Sequence, residues 1–488
     1  MIIRVNNIKC DVTIGGKDNL LPFDIIKEMR DYLSVPVPGA YFTKAYKKKI
    51  WDGKQRFCTP KGSFATGFLP AVYNFLVSKG ANVIIEDERD NLPEFNEYFD
   101  PVIGDWNLKT YADGYQADAV KAGFNWITLG DNELFFPRGI YDMATNAGKN
   151  SLIAGIHKNT TGKSIMILHN ALIFKQAIKF FSTMFDVGII DSKKYKPTDF
   201  TIAMYKSLYN KAKKSVNVKK DLTEYVNMFV DESHRGGGNE YSKLLTMVPA
   251  GGRYFVSGTP LEGKNKGRNL MLIGLSGPTL YQVTNKQLID KNVSAKPTVK
   301  IYLNTPPFEQ RLNYSETVDN VVRYSPERLD IIGEYCKKYP DRSILIMVEH
   351  QAHAEYINNE LLEQHLVYSE FTHSTDKLKS MKIESFKNGD IKILISTMIL
   401  KEGANIPIIR ALIMTQGGNS STTIKQVCGR GLRMGEEGQE EADKLDIIDF
   451  YDDAKWVAKH SRDRIRIYKK EEFDIEYQYS ADGRGFPK

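Results

Sequence analysis

Five short segments of this chain hold residue types that could do phosphate chemistry. Residues 144–151 read ATNAGKNS, ahead of a helical LIAGIHK. A phosphate is held by inward-facing backbone N–H groups at a helix N-terminus and by a fixed cation. Here Gly148 lets the backbone approach, and Lys149 supplies the charge. The strict phosphate-loop pattern asks for Gly where Met143 stands and for Ser or Thr where Asn150 stands. Asp231, Glu232, Ser233 and His234 follow the apolar run YVNMFV. A carboxylate at such a strand tip suits Mg2+, held mainly through water, and an adjacent Glu can polarise an attacking water. The plainer reading is a polar turn with a capping Asp. Ser257, Gly258, Thr259 and Pro260 follow RYFV, and their hydroxyls can hydrogen-bond the acidic loop. Residues 397–407 read TMILKEGANIP after a strand-like IKILIS: Gly403 permits a tight loop, and Thr397 can donate to a backbone phosphate. Residues 426–433 read QVCGRGLR. Arg430 and Arg433 are three apart and share one helix face, so both can meet a γ-phosphate, as arginine fingers do. Taken singly, each segment is also an ordinary turn or a surface salt bridge.

Such groups need rigid carriers. From about residue 110 short apolar runs recur between helix-length segments: SIMILHN, FTIAMYK, YVNMFVDE and RYFVSGTP, then SILIMVEH, IKILISTM, RALIMTQ and LDIIDF. This alternation is the mark of buried parallel strands in α/β layers, and the runs split into two halves of four. The stretch before the phosphate loop reads as irregular, and 265–315 gives weaker signals. The first hundred residues read as α+β, with helical IIKEMRDYL and AVYNFLVSKG and a strand in ANVIIEDE. The acidic, proline-containing DNLPEFNEYFDPVIG marks a boundary near residue 100.

Composition narrows the class. The chain has 488 residues, 42% hydrophobic and 26% charged, which excludes disorder as its main state. No run of ~18 apolar residues predicts a membrane span, and the N-terminus lacks the apolar core of a signal peptide. Cys10, Cys58, Cys336 and Cys428 are far apart without a CxxC pair, so neither a zinc ribbon nor a disulfide framework is expected. A reducing, cytoplasmic setting fits. The net charge of +7 is uneven: residues 44–56 carry +5, 206–220 carry +6 and 455–470 carry +6, leaving −10 for the rest. That concentration points to a polyanion partner. In the first run Lys44, Lys47, Lys48, Lys49, Lys54 and Arg56 are interleaved with Tyr46 and Trp51. Charge of this kind tracks a phosphate backbone, and rings stack on bases or wedge a junction. Both rings would equally serve the core of a small domain. His157, His350, His353, His365 and His373 are expected to pack or face solvent rather than bind metal, and Tyr468, Tyr477 and Tyr479 to pack.

The order AGK, DESH 82 residues later, SGTP, TMILKEGANIP and QVCGRGLR resembles that of the superfamily 2 DExH-box helicases, over roughly residues 105–450. The resemblance implies an α/β protein of two RecA-like lobes with mainly parallel sheets, plus a small N-terminal α+β domain. Residues 1–100 would bind nucleic acid, 101–292 and 293–454 would form the lobes, and 455–488 would be a basic extension packed on the second. ATP and Mg2+ are implied as cofactors, bound in the cleft between lobes. Tyr115 and Gln116, after Gly114, would read adenine. Thr145, Asn146, Ala147, Gly148, Lys149 and Asn150 would cradle the phosphates. Asp231 and Asn150 would hold the metal, and Glu232 would activate water. Gly403, Asn405 and Gln426 would line the nucleotide site, and Arg430 and Arg433 would reach the γ-phosphate. His234, Ser257 and Thr259 would couple nucleotide state to motion. His169, Asn170, Tyr205, Lys206 and Thr397 would contact nucleic acid, mostly at phosphate and sugar and with low sequence specificity.

The segment YFTKAYKKKIWDGKQRF, then GFLP, and the tail RDRIRIYKKEEFDIEY resemble the phage recombination helicases of the UvsW type. That implies a monomeric ATP-dependent DNA helicase that unwinds or branch-migrates forked and junction DNA in replication, recombination and repair. The host cytoplasm would be its location. Two residues depart from the family loop PTGAGKT: Asn146 replaces Gly and Asn150 replaces Thr, which bears on metal affinity and turnover. The alternatives are a duplex translocase or RNA helicase with the same motor, acting on RNA or an RNA–DNA hybrid, and a nucleic-acid-binding scaffold with a degenerate ATPase site.

Overall fold

The computed structural model describes all residues except 15–22, 109–114, 234–238, 262–264, 306–311, 374, 398–408, 419–423, 426–427, 430–443 and 479–488. The chain forms two compact units, Met1–Met143 with Ala147–Val283, and Ala144–Asn146 with Thr284–Lys488.

The first unit opens with four strands, β1 (Ile2–Val5), β2 (Lys9–Thr13), β3 (Ser63–Ala65) and β4 (Ile84–Asp87), in the order β3-β2-β1-β4. Alternate residues Ile3, Val5, Cys10 and Val12 are fully buried, as a sheet with one covered face requires. Helix Phe23–Tyr32 buries Ile26 and Met29, and helix Leu69–Ser78 buries Leu69, Val72, Tyr73 and Leu76. Both spacings are those of one helical face. The 3-10 turn Thr66–Phe68 lies against helix Lys266–Leu275 so closely that a Cβ at Gly67 would sit 1.9 Å from the Ile273 carbonyl oxygen.

The main sheet of this unit has eight strands: β5 (Arg138–Met143), β6 (Lys163–Leu168), β7 (Val187–Ile190), β8 (Tyr195–Lys196), β9 (Phe200–Met204), β10 (Tyr225–Asp231), β11 (Gly252–Ser257) and β12 (Thr279–Val283). Their order is β8-β7-β9-β6-β10-β11-β5-β12. β8 is antiparallel to β7, and the other pairs are parallel. β11 is buried at every residue and β10 at all but one, which explains their near-continuous apolar runs.

The second unit holds β13 (Lys296–Asn304), β14 (Ile344–Met347), β15 (Glu370–Thr372), β16 (Ile393–Ser396), β17 (Ala411–Met414), β18 (Lys444–Asp452) and β19 (Asp474–Gln478). They lie in the order β15-β16-β14-β17-β18-β13-β19, with every pair parallel. Helix Val457–Lys470 packs on β18 and carries the buried Tyr468. Tyr477, expected to pack, lies on the edge strand β19 and stays 38% exposed; Tyr479 lies outside the described residues.

The fold class is the predicted one, α/β with mainly parallel sheets and a small α+β part at the N-terminus. All eight apolar runs are strands of the two large sheets. One expectation needs correction: the stretch before the phosphate loop is the regular strand β5. Its pattern was masked by Arg138, Gly139 and Asp142, although Arg138 is 1% exposed. All four cysteines are buried free thiols. Among the described residues no helix is long and apolar enough to cross a membrane.

Candidate nucleotide site and nucleic-acid interface

Strands β10, β11 and β5 are neighbours and end side by side. Asp231 lies opposite Val256, and Ser257 opposite Asp142. The carboxyl ends of parallel strands are where an open α/β sheet leaves room for a ligand. Beyond β5 the backbone takes a left-handed conformation at Asn146 (φ 72°) and at Gly148 (φ 77°), and then enters helix Lys149–Lys158. The first helical hydrogen bond runs from Leu152 N to Gly148 O, 3.0 Å. The amides of Lys149, Asn150 and Ser151 therefore precede it, at the positive end of the helix dipole. Lys149 Nζ donates across the loop to Met143 O at 3.1 Å. Gln116, buried in helix Tyr115–Ala122, leans on the same loop: a Cβ at Gly148 would lie 2.4 Å from its Nε2. Gly148 is thus required twice, by its φ and by Gln116. Tyr115 beside it is buried, and burial pushes its phenol up.

Asp231 ends β10 at 8% exposure, and its Oδ1 accepts the Glu232 N–H at 2.9 Å. Glu232 has φ 49°, a left-handed conformation that costs a non-glycine residue about 1–2 kcal/mol and turns the chain out of the strand. Ser257 is fully buried, and its Oγ accepts the Thr259 N–H at 3.2 Å. This geometry places Lys149, Gln116, Gly148, Asp231, Glu232, Ser257 and Thr259 on one unit, on or close to adjoining strand ends. His234, Gly403, Asn405, Gln426, Arg430 and Arg433 lie outside the described residues, as does Gly114.

Residues expected to touch nucleic acid are spread more widely. Asn170 caps helix Ala171–Phe181, accepting from Leu172 N at 2.7 Å and Ile173 N at 3.3 Å; its amide oxygen is occupied by a local role. His169, the residue before it, is half-buried. Tyr205 opens helix Tyr205–Lys214 and packs edge-on against Tyr241 at 5.0 Å, while Lys206 is exposed beside it. In the second unit the Thr397 N–H donates to Thr372 O at 3.3 Å. Of the basic run at 455–470, Arg464 is buried on Asp449 and belongs to the core.

The N-terminal basic run forms a mounted excursion. Strands Ser34–Pro36 and Lys54–Arg56 pair antiparallel and carry residues 37–53 between them. Lys44, Lys47, Lys48 and Lys49 are exposed. Lys54 and Arg56 do a different job. Lys54 Nζ is 3.3 Å from Asp31 Oδ1, and Arg56 bonds Asp31 Oδ1 at 3.1 Å and Asp52 Oδ1 at 2.9 Å. The Arg56 hydrogen bond holds the Asp52 carboxyl below the usual carboxylate range. The two rings expected to stack also serve the excursion itself. Trp51 is half-buried with Nε1 donating to Lys54 O at 2.8 Å, and the Tyr46 ring packs on Gly53. Tyr46 is 41% exposed, and the most exposed rings of the excursion are Tyr41 and Phe42. Sequence reasoning missed them because an isolated aromatic pair has no periodicity.

A family model described as type III restriction enzyme, res subunit, matches residues 112–262, and one described as helicase conserved C-terminal domain matches residues 327–435. Together they take in more than half of the chain and most strands of the two large sheets. The chain belongs to the superfamily 2 helicases. A candidate helicase of a Sulfolobus islandicus filamentous virus, helicase 22, is 24% identical over 365 residues, 68% of this chain. This helicase chain spans 63% of that relative's length. Among solved structures, UvsW of phage T4 is 18% identical with a TM-score of 0.43 over 98% of this chain and 99% of that one. A fragment of an HsdR subunit of a type I restriction enzyme from Vibrio vulnificus is 16% identical, with a TM-score of 0.55 over 75% of this chain and 68% of that one, a likeness of fold.

The donor set decides what cation the helicase site suits. Asp231 offers one carboxylate, and Asn150, in the first turn of its helix, one neutral amide. Among the described residues no three His, Cys, Asp or Glu groups are gathered to hold a metal. Such a set fits Mg2+, which takes one or two carboxylates and fills its remaining positions with phosphate oxygens and water. His157 and His353 pack, while His350 is exposed. His157 Nδ1 lies 2.9 Å from Ser164 Oγ, and burial pushes the imidazole down to about 4; burial pushes His353 down to about 3.

Proposed function

We propose that this chain is an ATP-dependent DNA helicase acting on forked and junction DNA, with residues 101–292 and 293–454 as its two motor lobes and residues 1–100 as a DNA-binding part. The observation that carries the reading is the loop after β5, where two left-handed residues, three leading helix amides, Lys149 and Gln116 converge. A triphosphate matches that arrangement in charge.

The loop and the adjoining strand ends support the following roles. Gln116 reads the adenine edge. The amides of Lys149, Asn150 and Ser151 bind phosphate oxygens, and Lys149 shifts from the neutral Met143 carbonyl to the more strongly attracting phosphates. Asp231 and Asn150 would hold Mg2+, which would supply charge neutralisation on the phosphates. Glu232 orients a water and accepts its proton. Arg430 and Arg433, outside the described residues, keep the γ-phosphate role that the resemblance implies. Ser257 and Thr259, beside the acidic loop, relay its state to β11. Asn146 supports retained nucleotide binding: Asn is the residue other than Gly that best tolerates the left-handed conformation found there. Its change from Gly keeps the loop's path. Asn150, a longer side chain with an amide where the family has a hydroxyl, should raise the Mg2+ concentration needed for turnover.

The lysine-rich excursion supports a DNA role, since its exposed cations match a phosphate backbone. The test is phosphate release and strand separation on forked, four-way, duplex and RNA substrates. Glu232→Gln should cut DNA-stimulated phosphate release about 10²–10⁴-fold while ATP and DNA binding persist; loss of ATP binding would remove Glu232 from the base role. Wild type releasing no phosphate with DNA and Mg2+, and matching Lys149→Ala, would establish the scaffold reading instead.

A further inference from the structure

We propose that Tyr41, Phe42 and Ile50 form a stacking tip that takes an unpaired base where single strand meets duplex. The inference rests on the DNA-motor reading and deepens it. Single exposed apolar residues are ordinary, but this grouping is dense: Tyr41 is 60% exposed, Phe42 72%, Tyr46 41% and Ile50 76%. All four fall within ten residues of one excursion. Helix Leu69–Ser78, in the same sheet module, buries Tyr73 to 8% and covers Phe75 in part.

The tip is rigid. Phe42 N donates to Gly39 O at 3.0 Å, Thr43 N to Ala40 O at 2.9 Å, and Thr43 Oγ1 to Ala40 O at 2.7 Å. Ile50 N and Trp51 N both reach Ala45 O, at 3.0 and 3.3 Å. The Trp51 bond to Lys54 O then ties the far side to the stem. Rings held in this way lose little entropy when a ligand arrives. The Tyr41 and Phe42 centroids are 4.2 Å apart with planes at 43°, so the pair shields itself only in part.

Charge selects the occupant. Lys44, Lys47, Lys48 and Lys49 are exposed on the same excursion as the rings, while the neighbouring acids Asp31 and Asp52 are engaged by Lys54 and Arg56. An apolar protein surface would gain nothing from four cations, whereas a nucleic-acid strand offers π faces and phosphates together. A continuous duplex hides its base faces in the stack. The rings can therefore engage only an unpaired or terminal base, and the lysines can follow the backbone on either side of it. The tip thus gives the motor a preference for junctions that backbone contacts alone lack.

The experiment uses the full chain, a fork with 2-aminopurine at its first unpaired position, and a continuous duplex of the same length. Y41S/F42S should weaken fork binding about five- to hundred-fold and abolish the 2-aminopurine quench. Duplex affinity and its salt slope should stay within two-fold of wild type. K47A/K48A/K49A should weaken both substrates and flatten the slope by up to about three units, at roughly 0.9 per phosphate contact. Y41L/F42L keeps apolar bulk without a ring face, so a lost quench supports stacking and a retained quench overturns it. Wild-type fork affinity and quench in Y41S/F42S would overturn the tip while leaving the motor reading intact. A wild-type chain that bound no DNA would overturn both. Binding to anionic vesicles that depends on Tyr41 and Phe42, without an effect on DNA, would assign the tip to membranes and overturn the proposal.

Discussion

Among the described residues each unit buries two arginines, on strands in the first and on helices in the second, and the two units satisfy them by different means. In the first unit Arg138 and Arg253 meet only carbonyl oxygens. Arg253 donates to Leu245 O at 3.0 Å, Val248 O at 2.7 Å and Leu275 O at 2.8 Å. Arg138 donates to Ser276 O at 2.7 Å, Asn7 O at 2.8 Å and Leu275 O at 3.2 Å. Most of these carbonyls lie at or just past the C-terminal ends of helices Asn239–Met247 and Lys266–Leu275, where the helix dipole is negative. Burial pushes Arg253 down to about 9, which leaves it cationic at neutral pH. In the second unit Arg328 takes the Asp452 carboxylate at 2.7–3.0 Å, and Arg464 takes that of Asp449 at 2.9–3.1 Å. Burial works against the Arg464 charge, but Asp449 and Asp452 outweigh it and hold its pKa up. Partial charges spread over several carbonyls thus replace a full carboxylate, and the two solutions should fail differently.

The comparison breaks most sharply at Asp452. Asp452→Ala leaves a buried guanidinium without its counter-charge, which costs about 3–5 kcal/mol. Hydrogen exchange read along Lys444–Asp452 should accelerate strongly. Protection like that of wild type would mean that the pair contributes little. Arg253→Met strands only neutral carbonyls and should cost less, about 1–3 kcal/mol, read as faster exchange in Gly252–Ser257. A cost equal to that of Asp452→Ala would erase the distinction between the units. Replacing both partners, Arg464→Met with Asp449→Leu, should be milder than Asp449→Leu alone; denaturant midpoints of the three variants decide it.

A smaller, shared effect comes from acid. His157 in the first unit and His353 in the second have folded pKa values below the ordinary 6.5. Below pH 6.5 the unfolded chain binds protons that the folded chain refuses, so stability falls as pH drops. The slope is up to about 1.4 kcal/mol per pH unit for each histidine. It should end near pH 4 for His157 and pH 3 for His353. His157→Phe should remove the part of the slope belonging to the first unit, and an unchanged acid profile would count against that assignment. The thiols should show the least change. Burial pushes Cys10 up to about 12 and Cys58 to about 11, so neither should react with a thiol reagent at pH 7 until the chain opens.

Residues differ in how far the sequence betrayed them. YVNMFVDE announced β10 because a strand covered on both faces is apolar at successive positions. RGIYDM concealed β5, whose Arg138 is buried by the Asn7 carbonyl from far up the chain and by a helix end more than a hundred residues downstream. In the candidate site, Lys149 and Asp231 were legible from local pattern. The contact of Gln116 with Gly148 was not, because it depends on how two helices approach.

The sequence alone determined the strands and helices whose side-chain period matches their geometry, and the residue types able to meet phosphate, since both are local properties. Tertiary structure alone decided which charges and rings face outward. Lys47 and Lys54 look alike in the sequence, as do Phe42 and Trp51. Asp31 and the backbone of the stem engage one of each and leave the other in solvent. Exposure depends on what the rest of the chain brings alongside, and no local pattern contains that.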